Sequence, residues 1–124
     1  MPLDGRITRD FGNGIHPITG ENKFHNGIDI GAPSGSKIIS PGSGIVESIY
    51  THASGGKSLI IRHDNGYITG FAHLSNWLVK QGDKVKRGQP IAQVGSTGQS
   101  TGPHLHLTLK DSKGNSLNPM EHLI

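Results

Sequence analysis

Residues 104–109 read His104-Leu105-His106-Leu107-Thr108-Leu109 and alternate strictly between polar and leucine side chains. Successive side chains of a β-strand point to opposite faces of the sheet, so this period of two predicts a strand with its back in the core. The leucines form the buried face. The other face carries His104, His106 and Thr108, and it therefore presents two imidazoles from one strand.

A second short pattern combines a histidine with a carboxylate in Phe24-His25-Asn26-Gly27-Ile28-Asp29-Ile30. If residues 24–30 form a strand, His25, Gly27 and Asp29 share one face, and the opposite face supplies apolar groups to the core. Gly27 has no side chain, so we expect the space between the imidazole and the carboxylate to stay open. A metal ion and its bound water would need that space.

The rest of the chain repeats short apolar alternations separated by turn residues. The 19 glycines and 7 prolines, with few aromatic residues, favour many turns and argue against a helix bundle. We therefore predict a mainly β, single compact domain of antiparallel sheets with little helix. The predicted strands are 37–39, 44–50, 58–63, 67–72, 90–93 and 105–110, the predicted helical turns are 75–79 and 119–123, and Asp64-Asn65-Gly66 is a hairpin turn signal.

Composition narrows the chemistry that the chain can perform. It contains no cysteine, so histidine and carboxylate are the only strong ligands for a transition metal. The formal net charge of +3 suits an anionic environment such as a bacterial wall. No basic stretch is interleaved with aromatic residues, so we predict no nucleic-acid partner. No segment is long and apolar enough for a membrane span.

The two histidine-containing patterns together match a catalytic zinc site. Such a site uses about three protein ligands and keeps one position for water. His25, Asp29 and one histidine of the 104/106 pair satisfy this requirement, and the other histidine is then available for proton transfer. Spacing alone does not choose between His104 and His106. A third candidate, His73, follows the predicted strand 67–72.

The order and spacing of these motifs resemble the lysostaphin-type (LytM-like, glycyl-glycine endopeptidase-like) zinc metalloendopeptidases, which pair His-x-x-x-Asp with a later His-x-His. The resemblance covers nearly the whole chain. It is carried by Phe11-Gly12, His16-Pro17-Ile18-Thr19-Gly20, the 24–30 stretch, Ala72-His73-Leu74, and Gly95-Ser96-Thr97-Gly98-Gln99-Ser100-Thr101-Gly102-Pro103-His104-Leu105-His106.

The resemblance implies a single peptidoglycan endopeptidase catalytic domain over residues 1–124, either complete or excised from a longer protein. It implies that His25, Asp29 and His106 bind one Zn²⁺, and that His104 and His73 are the catalytic acid, base or oxyanion stabiliser. The implied reaction is hydrolysis of peptide bonds in bacterial peptidoglycan, in the cross-bridge or the stem peptide, by a metal-activated water. The implied fold is related to barrel-sandwich hybrid hairpins.

Two positions depart from the family pattern. Gly14 stands where relatives often carry arginine before Ile15-His16-Pro17, and Phe71 replaces the tyrosine that usually precedes Ala-His-Leu. Neither position holds an implied metal ligand, so we expect both departures to affect substrate binding. We name His16 and Phe71 as candidate substrate-binding residues.

Three alternatives remain beside the enzyme. One is a non-catalytic wall-binding or hydrolase-activating module of the same fold, and another is a virion structural protein that carries the peptidase. A third is a biotinyl or lipoyl carrier hairpin, suggested by residues 82–89, but the chain has no Met-Lys pair. Residues 1–6 contain no apolar signal-peptide core. We expect a monomer in the extracellular bacterial cell wall or on a phage virion.

Overall fold

The computed structural model describes residues 1–15, 22–97 and 102–123, with side chains described outside 13–15 and 22–24. Within these ranges the regular secondary structure is almost entirely strand, which confirms the prediction of a mainly β domain. The elements are β1 (Arg6–Arg9), β2 (Gly12–Ile15), β3 (Asn22–His25), β4 (Gly27–Gly31), β5 (Lys37–Ile39), β6 (Gly44–His52), β7 (Gly56–His63), β8 (Ile68–Trp77), β9 (Lys84–Val85), β10 (Pro90–Val94), β11 (His104–Lys110), β12 (Ser116–Leu117) and α1 (Pro119–His122).

A large antiparallel sheet carries most of these strands in the order β1-β4-β11-β8-β7-β6-β9. Strand β10 pairs with β5 and β8, and β12 pairs with the end of β11. Strands β2 and β3 form a separate two-stranded sheet. In the described parts of the chain no helix is long and apolar enough to span a membrane.

The core follows from the alternation of apolar residues along the central strands. In β11, Leu105, Leu107 and Leu109 are buried, while His104, His106 and Thr108 on the opposite face are only partly covered. The neighbouring strand β4 adds Ile28 and Ile30 to the same core. The buried leucine face therefore anchors β11 in the core, and the histidine face points away from the core.

Apart from residues 24–30, the predicted elements agree with the structure except at one segment. All six predicted strands lie within or overlap observed ones, and the predicted helical turn at 119–123 is α1, capped by the Asn118 side chain, which accepts a hydrogen bond from Met120 N. The prediction of a helical turn at 75–79 is wrong. Strand β8 continues through Trp77, because its last residues pair with β10. This long-range pairing overrides a local helical preference.

Residues 24–30 do not form one continuous strand. The chain bends at Asn26, so His25 ends β3 in the two-stranded sheet while Asp29 lies in β4 of the large sheet. The reason for a glycine at position 27 differs from our expectation, because β4 approaches β11 closely at this residue. A Cβ on Gly27 would lie within van der Waals overlap of the Leu107 carbonyl oxygen. The missing side chain thus permits tight strand pairing and does not reserve space for a metal.

Candidate metal centre and active site

The three predicted metal ligands meet where β3, β4 and β11 come together. His106 of β11 is the cross-strand partner of Asp29 of β4, so both side chains project from one face of the sheet. Asp29 Oδ1 lies 2.8 Å from His106 Nδ1 and 3.6 Å from His25 Nε2. The three candidate ligand atoms all lie within 4.8 Å of one another. The structure therefore brings together the residues named from sequence.

The His25 ring is oriented by a hydrogen bond from outside the cluster. Its Nδ1 lies 3.1 Å from the Asp10 carbonyl oxygen. A carbonyl oxygen only accepts, so Nδ1 donates, and the neutral ring keeps its lone pair on Nε2, the nitrogen that faces Asp29. Metal-binding histidines are commonly oriented in this way by a hydrogen bond from the second nitrogen.

The donor set suits zinc in both number and type. Two imidazoles and one carboxylate match the three-ligand sets of catalytic zinc sites. Tetrahedral zinc places its donor atoms about 3.3 Å apart, and the separations of 2.8 and 3.6 Å between Asp29 Oδ1 and the two histidines bracket that value. The three residues could therefore hold a metal ion with the geometry that zinc prefers.

The local electrostatics keep the cluster in a ligand-competent state. Burial acts to raise the pKa of Asp29, but the hydrogen bond from His106 and the charges of His106 and His25 outweigh it, so the pKa lies below its ordinary value. Burial lowers the pKa of the His25 imidazole. An ionised carboxylate and a neutral imidazole are the forms that bind metals.

The two predicted catalytic histidines lie beside this cluster. The ring centroids of His73 and His104 are 4.6 Å apart, and those of His73 and His106 are 6.4 Å apart. His104 Nδ1 lies 2.9 Å from the Gly102 carbonyl oxygen and His73 Nδ1 lies 2.8 Å from the Thr97 carbonyl oxygen. Both Nδ1 atoms therefore donate, which makes Nε2 the atom that can accept a proton in each neutral ring.

His73 occupies an unusual backbone conformation. Its φ of 61° lies in the left-handed region, where L-residues are uncommon. Its N–H donates to Gly55 O at 2.7 Å, so the backbone is tied to the β6–β7 hairpin. Burial lowers the pKa of the His73 imidazole, although the hydrogen bond to Thr97 opposes this effect. His73 is therefore held rigidly and favours the neutral form.

Thr97, which the sequence did not single out, is the residue that fixes His73. Its hydroxyl donates to Leu74 O at 2.6 Å and accepts from Lys57 N at 3.0 Å. These bonds anchor the backbone whose carbonyl accepts the His73 Nδ1 hydrogen. The only sequence signal for this role was the position of Thr97 at the start of the small-residue segment before β11.

The two predicted substrate-binding residues have different outcomes. His16 lies outside the described residues. Phe71 lies in the core with its side chain 2% exposed, because alternation along β8 turns it away from the face that carries the site. A side chain in that position has no surface to offer a substrate, so its replacement of tyrosine acts on packing.

Three further described histidines, His52, His63 and His122, are not part of the candidate metal cluster. His52 and His122 are exposed. His63 is the last residue of β7, beside the hairpin turn. Together with Tyr67 and His122 it lines a cavity of about 520 Å³. None of the predicted metal ligands lines that cavity. A smaller cavity of about 300 Å³ borders the site and includes Arg9, Asp29 and His104.

Comparison with protein families and with known proteins agrees with this geometry. Residues 23–119 match the family described as Peptidase family M23. The peptidoglycan DD-endopeptidases ShyC and ShyA of Vibrio cholerae are 46% and 41% identical to this chain, over 85% and 97% of it. The chain spans only 25% and 28% of the length of these two relatives.

Solved structures show the same architecture. A zinc-containing peptidase from Vibrio cholerae superposes with a TM-score of 0.87 at 40% identity, covering 96% of this chain and 38% of that one. The catalytic domain of lysostaphin from Staphylococcus simulans superposes with a TM-score of 0.86 at 30% identity, covering 96% of this chain and 92% of the other.

Proposed function

Because the chain belongs to peptidase family M23, we propose that it is a zinc-dependent endopeptidase domain that hydrolyses peptide bonds of bacterial peptidoglycan. One observation carries this proposal: ligand atoms of His25, Asp29 and His106 lie within 4.8 Å of one another, beside two further histidines. The similarity to peptidoglycan DD-endopeptidases supports the substrate class.

His25 through Nε2, Asp29 through Oδ1 and His106 through Nδ1 are the residues that would hold one zinc ion, which would replace the proton that His106 Nδ1 donates to Asp29. When bound there, zinc supplies a Lewis acid that acidifies water and polarises the scissile carbonyl. The chain contributes the orientation of these ligands. The β4–β11 register sets Asp29 against His106, and the Asp10 carbonyl directs the His25 ring.

His73 and His104 move the protons. One ring accepts the proton of the attacking water at Nε2, and a protonated ring then donates to the leaving nitrogen or to the developing oxyanion. A single donor to the oxyanion is worth about 3 kcal/mol in the transition state. Burial lowers the pKa of His73, so this ring is neutral and can accept a proton, and the hydrogen bond to the Thr97 carbonyl keeps its lone pair on Nε2.

The names of the relatives also suggest which bond is cut. Several are named peptidoglycan DD-endopeptidases, and another, from Neisseria meningitidis, is named DD-carboxypeptidase/endopeptidase Mpg. We propose that this chain likewise cuts a DD peptide bond of the stem-peptide cross-link. We further propose that residues 1–124 form a single catalytic domain that acts as a monomer at the cell wall.

The decisive experiment follows turbidity loss of purified peptidoglycan and zinc content together. The native chain, the chain after chelation and zinc return, and His106→Ala are compared, with His52→Ala as the control for loss of an exposed histidine. We expect lysis that is lost on chelation, restored by zinc, absent in His106→Ala and retained in His52→Ala. Bound zinc should amount to one ion per chain in the active proteins.

Mass spectrometry of the soluble products identifies the bond. Cleavage of a DD bond releases monomers from cross-linked stem-peptide dimers and leaves their sugars intact. If zinc is bound but no wall type is hydrolysed, the domain is a wall-binding or hydrolase-activating module. If lysis survives full removal of zinc, the metal assignment fails.

A further inference from the structure

Arg9 is a charged group beside the candidate metal centre that the reaction described above does not use. It is the last residue of β1 and the cross-strand partner of Asp29. Its Nη1 lies 3.9 Å from Asp29 Oδ2, which is too long for a hydrogen bond. Across 1–15, 22–97 and 102–123 the structure records no hydrogen bond from this guanidinium, and the side chain is 33% exposed. Arg9 therefore keeps its donors available for a ligand.

The position of Arg9 is set by the two oxygens of Asp29. Oδ1 faces His25 and His106, whereas Oδ2 is the oxygen nearest Arg9. The Asp29 carboxylate thus lies between the Arg9 guanidinium and the two candidate histidine ligands. Arg9 also lines the 300 Å³ cavity, together with Thr8, Gly31, Pro103 and His104. Arg9 and His104 both line this cavity, so a group bound there could contact both side chains.

A guanidinium with free N–H groups in a partly enclosed site is suited to a carboxylate, because its fork of donors matches the two carboxylate oxygens. We propose that Arg9 binds a free carboxylate of the substrate, the one attached to the carbon that bears the scissile nitrogen. Arg9 would then be a specificity-determining residue.

This inference rests on the proposed cleavage of a DD bond. In such a bond the residue that supplies the nitrogen carries a free carboxylate on the same carbon, whether it ends a peptide or forms a cross-link. That carboxylate lies about one residue beyond the scissile carbonyl, a span of about 3.8 Å between Cα positions. The cavity lined by Arg9 and His104 is also lined by the candidate metal ligand Asp29.

The test uses two zinc-loaded assays on matched stem peptides that end in D-Ala-D-Ala. One peptide has a free terminal carboxylate and the other a terminal carboxamide. The ratio of their kcat/KM values is measured for the native chain, Arg9→Gln, Arg9→Lys and Arg6→Gln. Arg6 is the matched control, since it lies exposed on the same strand and does not line the cavity.

We expect the native chain and Arg6→Gln to prefer the carboxylate by about 10- to 100-fold, the range of a charge-assisted hydrogen bond. Arg9→Gln should lose most of that preference. Arg9→Lys should retain part of the preference, because lysine keeps the positive charge but lacks the paired N–H donors of the guanidinium. The ratio compares two substrates on one enzyme preparation, so a change in zinc content cancels. An equal ratio in the native chain and Arg9→Gln would overturn the proposal.

A binding measurement separates this inference from the proposed function. Calorimetry compares N-acetyl-D-alanine with N-acetyl-D-alaninamide on the zinc-loaded native chain and on Arg9→Gln. Tighter binding of the acid that depends on Arg9 supports the subsite even if no peptide is hydrolysed, in which case only the proposed function fails. Equal affinity of the acid for both proteins refutes the subsite even if peptidoglycan is cleaved.

Discussion

At the scale of single residues, His73 shows how the fold maintains a costly conformation beside the candidate metal centre. Its left-handed backbone is held by the hydrogen bond to Gly55 O, and its ring is held by the Thr97 carbonyl. A left-handed conformation costs an ordinary L-residue roughly 1–2 kcal/mol. Strain of this kind concentrates at active sites, where the surrounding contacts impose it.

Two substitutions of His73 separate strain from catalysis. Both His73→Gly and His73→Ala should bind zinc and lose activity by about 100-fold or more, since each removes a proton-transfer group. His73→Gly should be more stable than His73→Ala by about 1 kcal/mol, because only glycine adopts positive φ without cost. Urea unfolding measures the difference. Equal stability of the two variants would show that the left-handed backbone carries no strain.

At the scale of elements, the β6–β7 hairpin supports the site by packing closely against the chain that precedes β11. Gly56 begins β7 with a φ of 66°, and a Cβ there would overlap both the carbonyl carbon and the oxygen of Thr97. That oxygen accepts the His73 hydrogen bond. Any side chain at position 56 must therefore displace the group that orients His73.

This contact predicts different outcomes for two glycines with positive φ. Gly82, with a φ of 90°, has nothing within 4 Å of its ideal Cβ. Gly82→Ala should cost about 1 kcal/mol of stability from backbone strain and leave kcat unchanged. Gly56→Ala should cost more and should lower kcat while zinc content stays the same. Denaturant unfolding and steady-state kinetics measure both effects, and matching results for the two variants would contradict the proposed support of His73.

At the scale of the whole molecule, a second buried histidine lies away from the metal centre and links fold stability to pH. His63 Nδ1 lies 3.3 Å from the Ser43 carbonyl oxygen, and Nε2 lies 2.7 Å from Thr69 Oγ1, so the neutral ring donates to one and accepts from the other. Burial lowers the pKa of His63, although the hydrogen bonds to Ser43 and Gly42 oppose this. Protonation would remove the acceptor that Thr69 uses.

The direction of the pH effect follows from proton binding. Because the pKa of His63 is lower in the folded than in the unfolded state, the unfolded chain binds more protons. The His63 contribution is complete above the unfolded pKa of about 6.5 and is lost as the pH falls through the folded pKa. The free energy of unfolding of the native chain should therefore fall between pH 7 and pH 5, and less so in His63→Gln. His52→Gln is the exposed control. An identical pH dependence in His63→Gln and the native chain would exclude this linkage.

The sequence by itself predicted the candidate ligand residues and the face of β11 that carries its histidines. The alternation in residues 104–109 is a local property of a strand, so it correctly placed leucines in the core and histidines on the opposite face. Ligand types could also be read directly, because a chain without cysteine has only histidine and carboxylate to offer zinc. The hairpin turn and the capped helix α1 are equally local, and both appear as predicted.

Only the tertiary structure decided how these faces meet. The register that sets His106 opposite Asp29 joins residues 77 positions apart, and the bend at Asn26 turns β3 and β4 into different sheets. Phe71 became a core residue, Arg9 came to lie beside Asp29, and Thr97 came to hold His73. None of these contacts leaves a local signal, because pairing between distant strands is fixed by burial of the shared core and not by the sequence of either strand alone.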